Sequence, residues 1–200
     1  MKKMSTAKGS EIQPKGRSKQ ALAARDLAEC SLFVALMVAG AFIKIPFPFM
    51  PLTFQTVFSV SAGLLLGWRK GIISMTVYAV AGLVGLPVFT SGGGLHYVTM
   101  PSFGYILGFI AAAGAAGALQ VKASKLWQTV IISLCACIID YLFGIAYFIA
   151  VWVLSGYSGL WSAVVTYNVI YLPKDVILCV LSAFVCFTVQ STVRKLHRKR

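Results

Sequence analysis

Leu126–Leu154 is an unbroken apolar run with a single charged residue, Asp140, inside it. A helix needs about 20 such residues to cross a hydrocarbon core about 30 Å thick, so this run reads as a membrane span with tilt or length to spare. Further apolar runs lie at Cys30–Ile45, Phe54–Leu66, Ile72–Val88, Phe103–Val121 and Pro173–Val193. Phe54–Leu66 is short for a span and must borrow residues from the segment holding Pro46, Pro48 and Pro51, or sit where the bilayer is thin. With 58% hydrophobic residues and a mean hydropathy of +0.83, the 200-residue chain lies outside the range of soluble domains. The expected fold class is all-α, an integral membrane bundle of six transmembrane helices.

The net charge of +13 gathers at the two ends and in short connections, Arg69/Lys70 and Lys122/Lys125. Six spans place all of these on one side, which the positive-inside rule makes the cytoplasm, with both termini there. No nucleic-acid-binding motif accompanies the charge, so nucleic acid is not expected as a partner. The divisions expected are a disordered basic tail over 1–26, with helix near Ala21–Glu29, a membrane domain over 27–193 and a basic tail over 194–200. No small-residue cleavage site follows the first apolar run, so that helix is expected to be retained. Lys44, near the far end of the first span, can snorkel to the interface.

Three unusual segments then share the opposite membrane face: the prolines after Ile45, the glycine-rich stretch Gly85–Tyr105, and Tyr167–Asp175. Their convergence reads as a binding site. Gly92, Gly93 and Gly94 lose too much backbone freedom to sit inside a helix, and they allow main chain to approach a ligand. Asp175, with Lys174, opens the last helix, where a carboxylate either caps free N–H groups or binds a ligand. Asp140 lies about 20 Å into the core and must face protein or water, as a functional carboxylate or as a structural hydrogen-bonding group.

Other features carry less chemistry. His96 lacks partners at metal-ligand spacing, so no metal site is expected. Cys30, Cys135, Cys137, Cys179 and Cys186 have no paired spacing and read as small core residues. Gly63, Gly67, Gly104 and Gly108 form small-residue surfaces for close helix packing, and Ser31, Ala35 and Ala39 make a smooth stripe that packs internally or docks another subunit. The chain has no G-x-x-x-x-G-K-[ST] loop and hence no nucleotide site of that kind.

Together, Ile45-Pro-Phe-Pro-Phe-Met-Pro-Leu-Thr-Phe-Gln55, Ala62–Gly67, Gly82-Leu-Val-Gly-Leu-Pro-Val-Phe89, Gly92–Gly94 and Pro101–Phe109 resemble the BioY family. The resemblance runs from about Ala35 to Phe184. It implies the biotin-binding S component of a prokaryotic energy-coupling factor (ECF) transporter, set in the lipid of the cell membrane, binding biotin from outside. A transmembrane T component and two ATPase subunits supply the energy in that family, so this chain is expected to bind no cofactor and to be no enzyme. The expected ligand-binding residues are Thr53, Gln55, Gly92, Gly93, Gly94, Tyr105, Lys174 and Asp175, with Asp140 as a further candidate; Ala35 and Ala39 match the docking stripe of the family's first helix.

The family's last helix commonly opens Pro-Gly-Asp-x-x-Lys, whereas this chain has Pro173-Lys-Asp-Val-Ile-Leu178, and Met100-Pro-Ser-Phe-Gly stands where many members have Gly-Pro-Thr-Gly-Gly. Positions 174 and 178 share one helix face, so Lys174 can supply from the helix entrance the ammonium that other members supply one turn later. Two other readings stand beside this one: a membrane hydrolase or acyltransferase using Asp140, Asp175 or His96, and an ion or proton path built on Asp140. A third alternative keeps the S component but gives it a different small vitamin-like ligand.

Overall fold

The computed structural model describes residues 15–46 and 51–198. Its elements are α1 (Lys15–Phe42), α2 (Gln55–Leu66), α3 (Trp68–Leu83), α4 (Phe103–Gln120), α5 (Leu126–Leu154), α6 (Leu160–Tyr167) and α7 (Leu172–Arg198), with 3₁₀ turns at Leu95–Thr99 and Val169–Tyr171. Setting aside the short α6, six helices form the bundle, the number expected. Phe103–Gln120, Leu126–Leu154 and the stretch Leu160–Leu196 are long and apolar enough to cross a membrane. Residues 1–14 and 199–200 of the expected tails, and 47–50 of the proline segment, lie outside the described residues. The first helix already runs from Lys15, within the segment read as a basic tail.

The distribution of side chains identifies the solvent for which the bundle is built. On α7, Ile177 and Val185 are 61% and 62% exposed, while Asp175, Cys179, Ser182 and Cys186 face the interior. An apolar outside over a polar seam suits hydrocarbon, where polar groups must find partners within the protein. Much of the seam is paired internally: Ser61 and Ser182 share a 2.7 Å hydrogen bond, Ser133 donates to the Cys179 carbonyl at 2.8 Å, and Gln120 donates to Gln190 at 2.9 Å, while Gln120 Oε1 and Asp175 Oδ1 are buried without a hydrogen bond.

Glycine sets how closely the helices approach. A Cβ at Gly63 would lie 2.2 Å from the Ala113 carbonyl oxygen, and one at Gly108 would lie 2.3 Å from Asp140 Oδ1, so α2 and α5 both press against α4 through missing side chains. Gly67 plays a different part from its expected packing role. At φ 82° it forms the one-residue turn between α2 and α3, a backbone conformation that L residues resist.

Two ends result. At one, Lys70 pairs with Asp26 at 2.6 Å and Glu29 at 2.8 Å, tying α1 to α3. The opposite end gathers the connections after α1 and α3 and the segment before α7. Here α3 stops at Leu83, earlier than the expected Val88, because Gly85 at φ 115° turns the chain before Pro87. The stretch after α1 folds back through an antiparallel bridge between Ile45 and Leu52, which brings Thr53 to the start of the short α2. The bundle is therefore closed at the Lys70 end and concave at the other.

Candidate functional site

A cavity opens at the concave end, with about 570 Å³ of space that includes the part open to solvent at its mouth. Its walls come from α2, α3, α4, α5, α7 and the connections before them. Thr53, Gln55, Tyr105, Lys174 and Asp175 all line it, so five of the residues singled out in the sequence meet although they lie up to 122 positions apart. Aromatic walls with a few convergent polar groups are the lining of small-molecule sites.

Asp175 is 4% exposed in the first turn of α7. Its carboxylate reaches across to another helix: Oδ2 accepts the Tyr141 hydroxyl of α5 at 2.6 Å. Lys174 Nζ lies 2.8 Å from Oδ1, an ion pair that lacks the alignment of a hydrogen bond. The same ammonium donates to the Thr53 carbonyl and stands 5.6 Å from the centre of the Phe54 ring. With three hydrogens and one firm acceptor, it retains donors for a ligand oxygen. Leu178, one turn on, is not among the residues lining the cavity.

Gln55 opens α2 and donates through Nε2 to the Tyr78 hydroxyl at 2.5 Å, and Tyr78 donates to the Val88 carbonyl at 3.2 Å. Tyr105, on α4, donates to Asn168 Oδ1 at 2.8 Å and meets the Tyr141 ring edge-on, with centroids 5.5 Å apart. Gly144 allows that placement, since a Cβ there would lie 2.4 Å from the Tyr105 ring. The tyrosine is therefore held at both its ring and its hydroxyl.

The glycine run takes a place the sequence did not foresee. Gly92, Gly93 and Gly94 are not among the lining residues; they shape the loop that is. Phe89 and Gly92 form a bridge, Gly94 N–H donates to the Gly82 carbonyl at 2.7 Å, and a Cβ at Gly93 would strike the Leu86 carbonyl at 2.0 Å. So folded, the loop buries Phe89 over Gly82 and turns Thr90 into the cavity, where its hydroxyl meets that of Tyr97 at 2.7 Å.

Asp140 is wholly buried on α5 and also stands outside the lining. It touches the site through Thr56, a lining residue whose hydroxyl donates to Asp140 Oδ2 at 3.1 Å. Ala35 and Ala39 are not among the lining residues: both are exposed on α1, while Phe33, Met37 and Ala41 turn inward. Among the described residues no three His, Cys, Asp or Glu side chains are grouped as a metal site would require.

Sequence reasoning missed Tyr78, Tyr97, Thr56, Thr90 and Tyr141 as lining residues. Tyr141 adjoins Asp140 in an apolar span, and a hydroxylated ring there gives no periodic signal that distinguishes cavity from packing. Thr56 adjoins Gln55, and the end of the Thr-x-Gln motif was the available clue.

The BioY family model matches residues 13–195. A probable biotin transporter BioY from Lysinibacillus sphaericus is 43% identical over 141 residues, covering 69% of this chain and 72% of that protein. The biotin transporter BioY of Rhizobium etli is 33% identical over 176 residues, covering 81% of this chain and 91% of that protein. In structure, the chain is similar to a crystal structure of the S-component for biotin from an ECF-type ABC transporter, with a TM-score of 0.74 and 23% identity over 86% of this chain and 93% of that one.

Proposed function

The chain belongs to the BioY family, and from that premise we propose that it captures biotin in the cavity at the concave end of the bundle, as the S component of an ECF transporter. The observation that carries this reading is the meeting of Thr53, Gln55, Tyr105, Lys174 and Asp175 around one space in a chain of this family. Biotin offers two ureido N–H donors, a ureido carbonyl, an apolar sulfur ring and a carboxylate on an alkyl chain. Asp175 and Gln55 supply acceptors for N–H groups, Lys174 supplies an ammonium for a carbonyl or carboxylate oxygen, and Tyr105 supplies an amphipathic wall.

The protein is a transport component and not an enzyme. Asp140 serves the site from behind Thr56, which removes it from contact with the ligand, and Gly92–Gly94 serve it by shaping their loop. Arg69, Lys70, Lys122 and Lys125 mark the cytoplasmic end under the positive-inside rule, so the cavity faces outward from the cell membrane. ATP hydrolysis then belongs to two partner ATPases, coupled through a transmembrane T component that docks on the exposed Ala35 and Ala39 of α1.

Uptake of labelled biotin by cells that lack their own transporter tests the function: expression of this chain with its coupling partners restores uptake, and no uptake above the empty cells contradicts it. In the same cells, single cysteines at Ser91 and Gly159 in a cysteine-free background are expected to label from outside, with tags at both termini protected.

A further inference from the structure

Gln55 is an amide, and an amide can present either an acceptor or a donor to a ligand, depending on which way it is turned. Here its orientation is determined by a chain of hydrogen bonds that begins outside the cavity. The Val88 carbonyl can only accept, and it takes the single hydroxyl hydrogen of Tyr78 at 3.2 Å. The Tyr78 oxygen is left with lone pairs toward Gln55, 2.5 Å away, and so it takes the amide NH₂. Among the described residues no hydrogen bond reaches Gln55 Oε1, and Gln55 lines the cavity.

We propose that Tyr78 is a positioning residue for ligand selection: it locks the Gln55 amide so that Oε1 faces the cavity and accepts a ligand N–H. Turning the amide over would set Oε1 against the Tyr78 oxygen at hydrogen-bond distance with no hydrogen between them, unless Tyr78 abandons Val88. Tyr78 cannot easily move aside to allow this. It is 1% exposed, and its ring stands edge-on to Phe89 at 5.4 Å, a ring that itself fills the gap over Gly82.

The glycine-rich loop, which lines the cavity through Thr90 and Tyr97, therefore also reaches the ligand through Val88, Tyr78 and Gln55. The selected class is a ring that carries N–H donors, and a ring with only acceptors on that edge is refused. This inference rests on the proposed capture of biotin and adds which residue sets the hydrogen-bond polarity of one wall.

The test measures biotin affinity for the purified chain in four forms: wild type, Tyr78→Phe, Gln55→Glu and the double variant. A carboxylate has no wrong way round, so it needs no lock. Tyr78→Phe is expected to weaken biotin about tenfold beside Gln55, the worth of one hydrogen bond, and less than about twofold beside the glutamate. An equal loss in both backgrounds, or none in either, overturns the lock.

A second readout does not depend on the glutamate variant folding. Biotin methylated at each ureido nitrogen in turn lacks one donor, and the lock makes wild type discriminate against the analogue whose methyl meets Gln55. In Tyr78→Phe the amide no longer holds Oε1 toward that N–H, biotin loses most of its advantage, and the affinity ratio between biotin and that analogue narrows several-fold. Unchanged ratios for both analogues overturn the proposal. A wild-type chain that binds no biotin overturns the proposed function, and this inference with it; wild-type binding with unchanged ratios overturns the inference alone.

Discussion

The ammonium of Lys174 donates to the main-chain carbonyl of Thr53, 121 residues earlier in the chain, and so ties the entrance of α7 to the segment that leads into α2. The lysine stands at the mouth of the cavity with Asp175 on one side and the Phe54 ring on another. A lysine serving only the headgroup layer would extend away from the bundle; this one is turned inward. Lys174→Ala is expected to weaken biotin by about 1.5–3 kcal/mol, roughly tenfold or more, the range for a charge-assisted hydrogen bond. Titration calorimetry on the purified variant checks it, and an unchanged affinity means the ligand carboxylate finds its cation elsewhere.

Ala35 and Ala39 turn away from the bundle, whereas Met37 between them is wholly buried. A smooth exposed stripe of this kind is suited to close approach by another helix. Replacing either alanine with tryptophan is expected to depress biotin uptake strongly in cells while the purified chain binds biotin as before. Parallel loss of uptake and binding shows instead that the stripe supports the fold.

At the α4–α5 contact, Gly108→Ala would place a methyl 2.3 Å from Asp140 Oδ1 and 2.7 Å from the Asp140 carbonyl oxygen. The carboxylate can turn, but the main-chain carbonyl and the Asp140 Cα at 3.1 Å cannot yield without parting the helices, so the variant is expected to lose about 1–3 kcal/mol of stability, seen as a lower melting temperature in detergent. Gly114→Ala is the control on the same helix. Its methyl meets the flexible end of Ile72 at 3.0 Å, and its loss is expected to be smaller, offset in part by about 1 kcal/mol of helix propensity. Equal melting temperatures for the two variants contradict the close packing described here.

The bundle was legible because its signals are long: apolar runs, basic ends and proline or glycine breaks survive without any tertiary information. Thr53, Gln55, Lys174 and Asp175 were legible because they stand in short motifs at helix entrances, where polar residues have few other reasons to be. Tyr78 and Tyr141 were not, since an aromatic ring inside an apolar helix reads equally as packing, and only the approach of Val88 and Asp175 gives their hydroxyls a role. Gly92–Gly94 illustrate the reverse. Their freedom of backbone was read as close approach to a ligand, yet it is used against Leu86 and Gly82. The third span was placed too far along because Leu86 and Val88 extend the apolar run past the turn at Gly85, where hydropathy and backbone geometry part company.

Biotin is proposed to sit in one cavity, and Asp175 is the carboxylate among the residues that line it. Calorimetric titration of biotin into the purified wild-type chain and into Asp175→Ala, with thermal melting of both, tests it most directly. The expected result is saturable binding of a single biotin by wild type and at least tenfold weaker binding by a variant that still melts cooperatively. Wild-type protein that takes up no biotin, or an Asp175→Ala variant that binds it as tightly as wild type, contradicts the account.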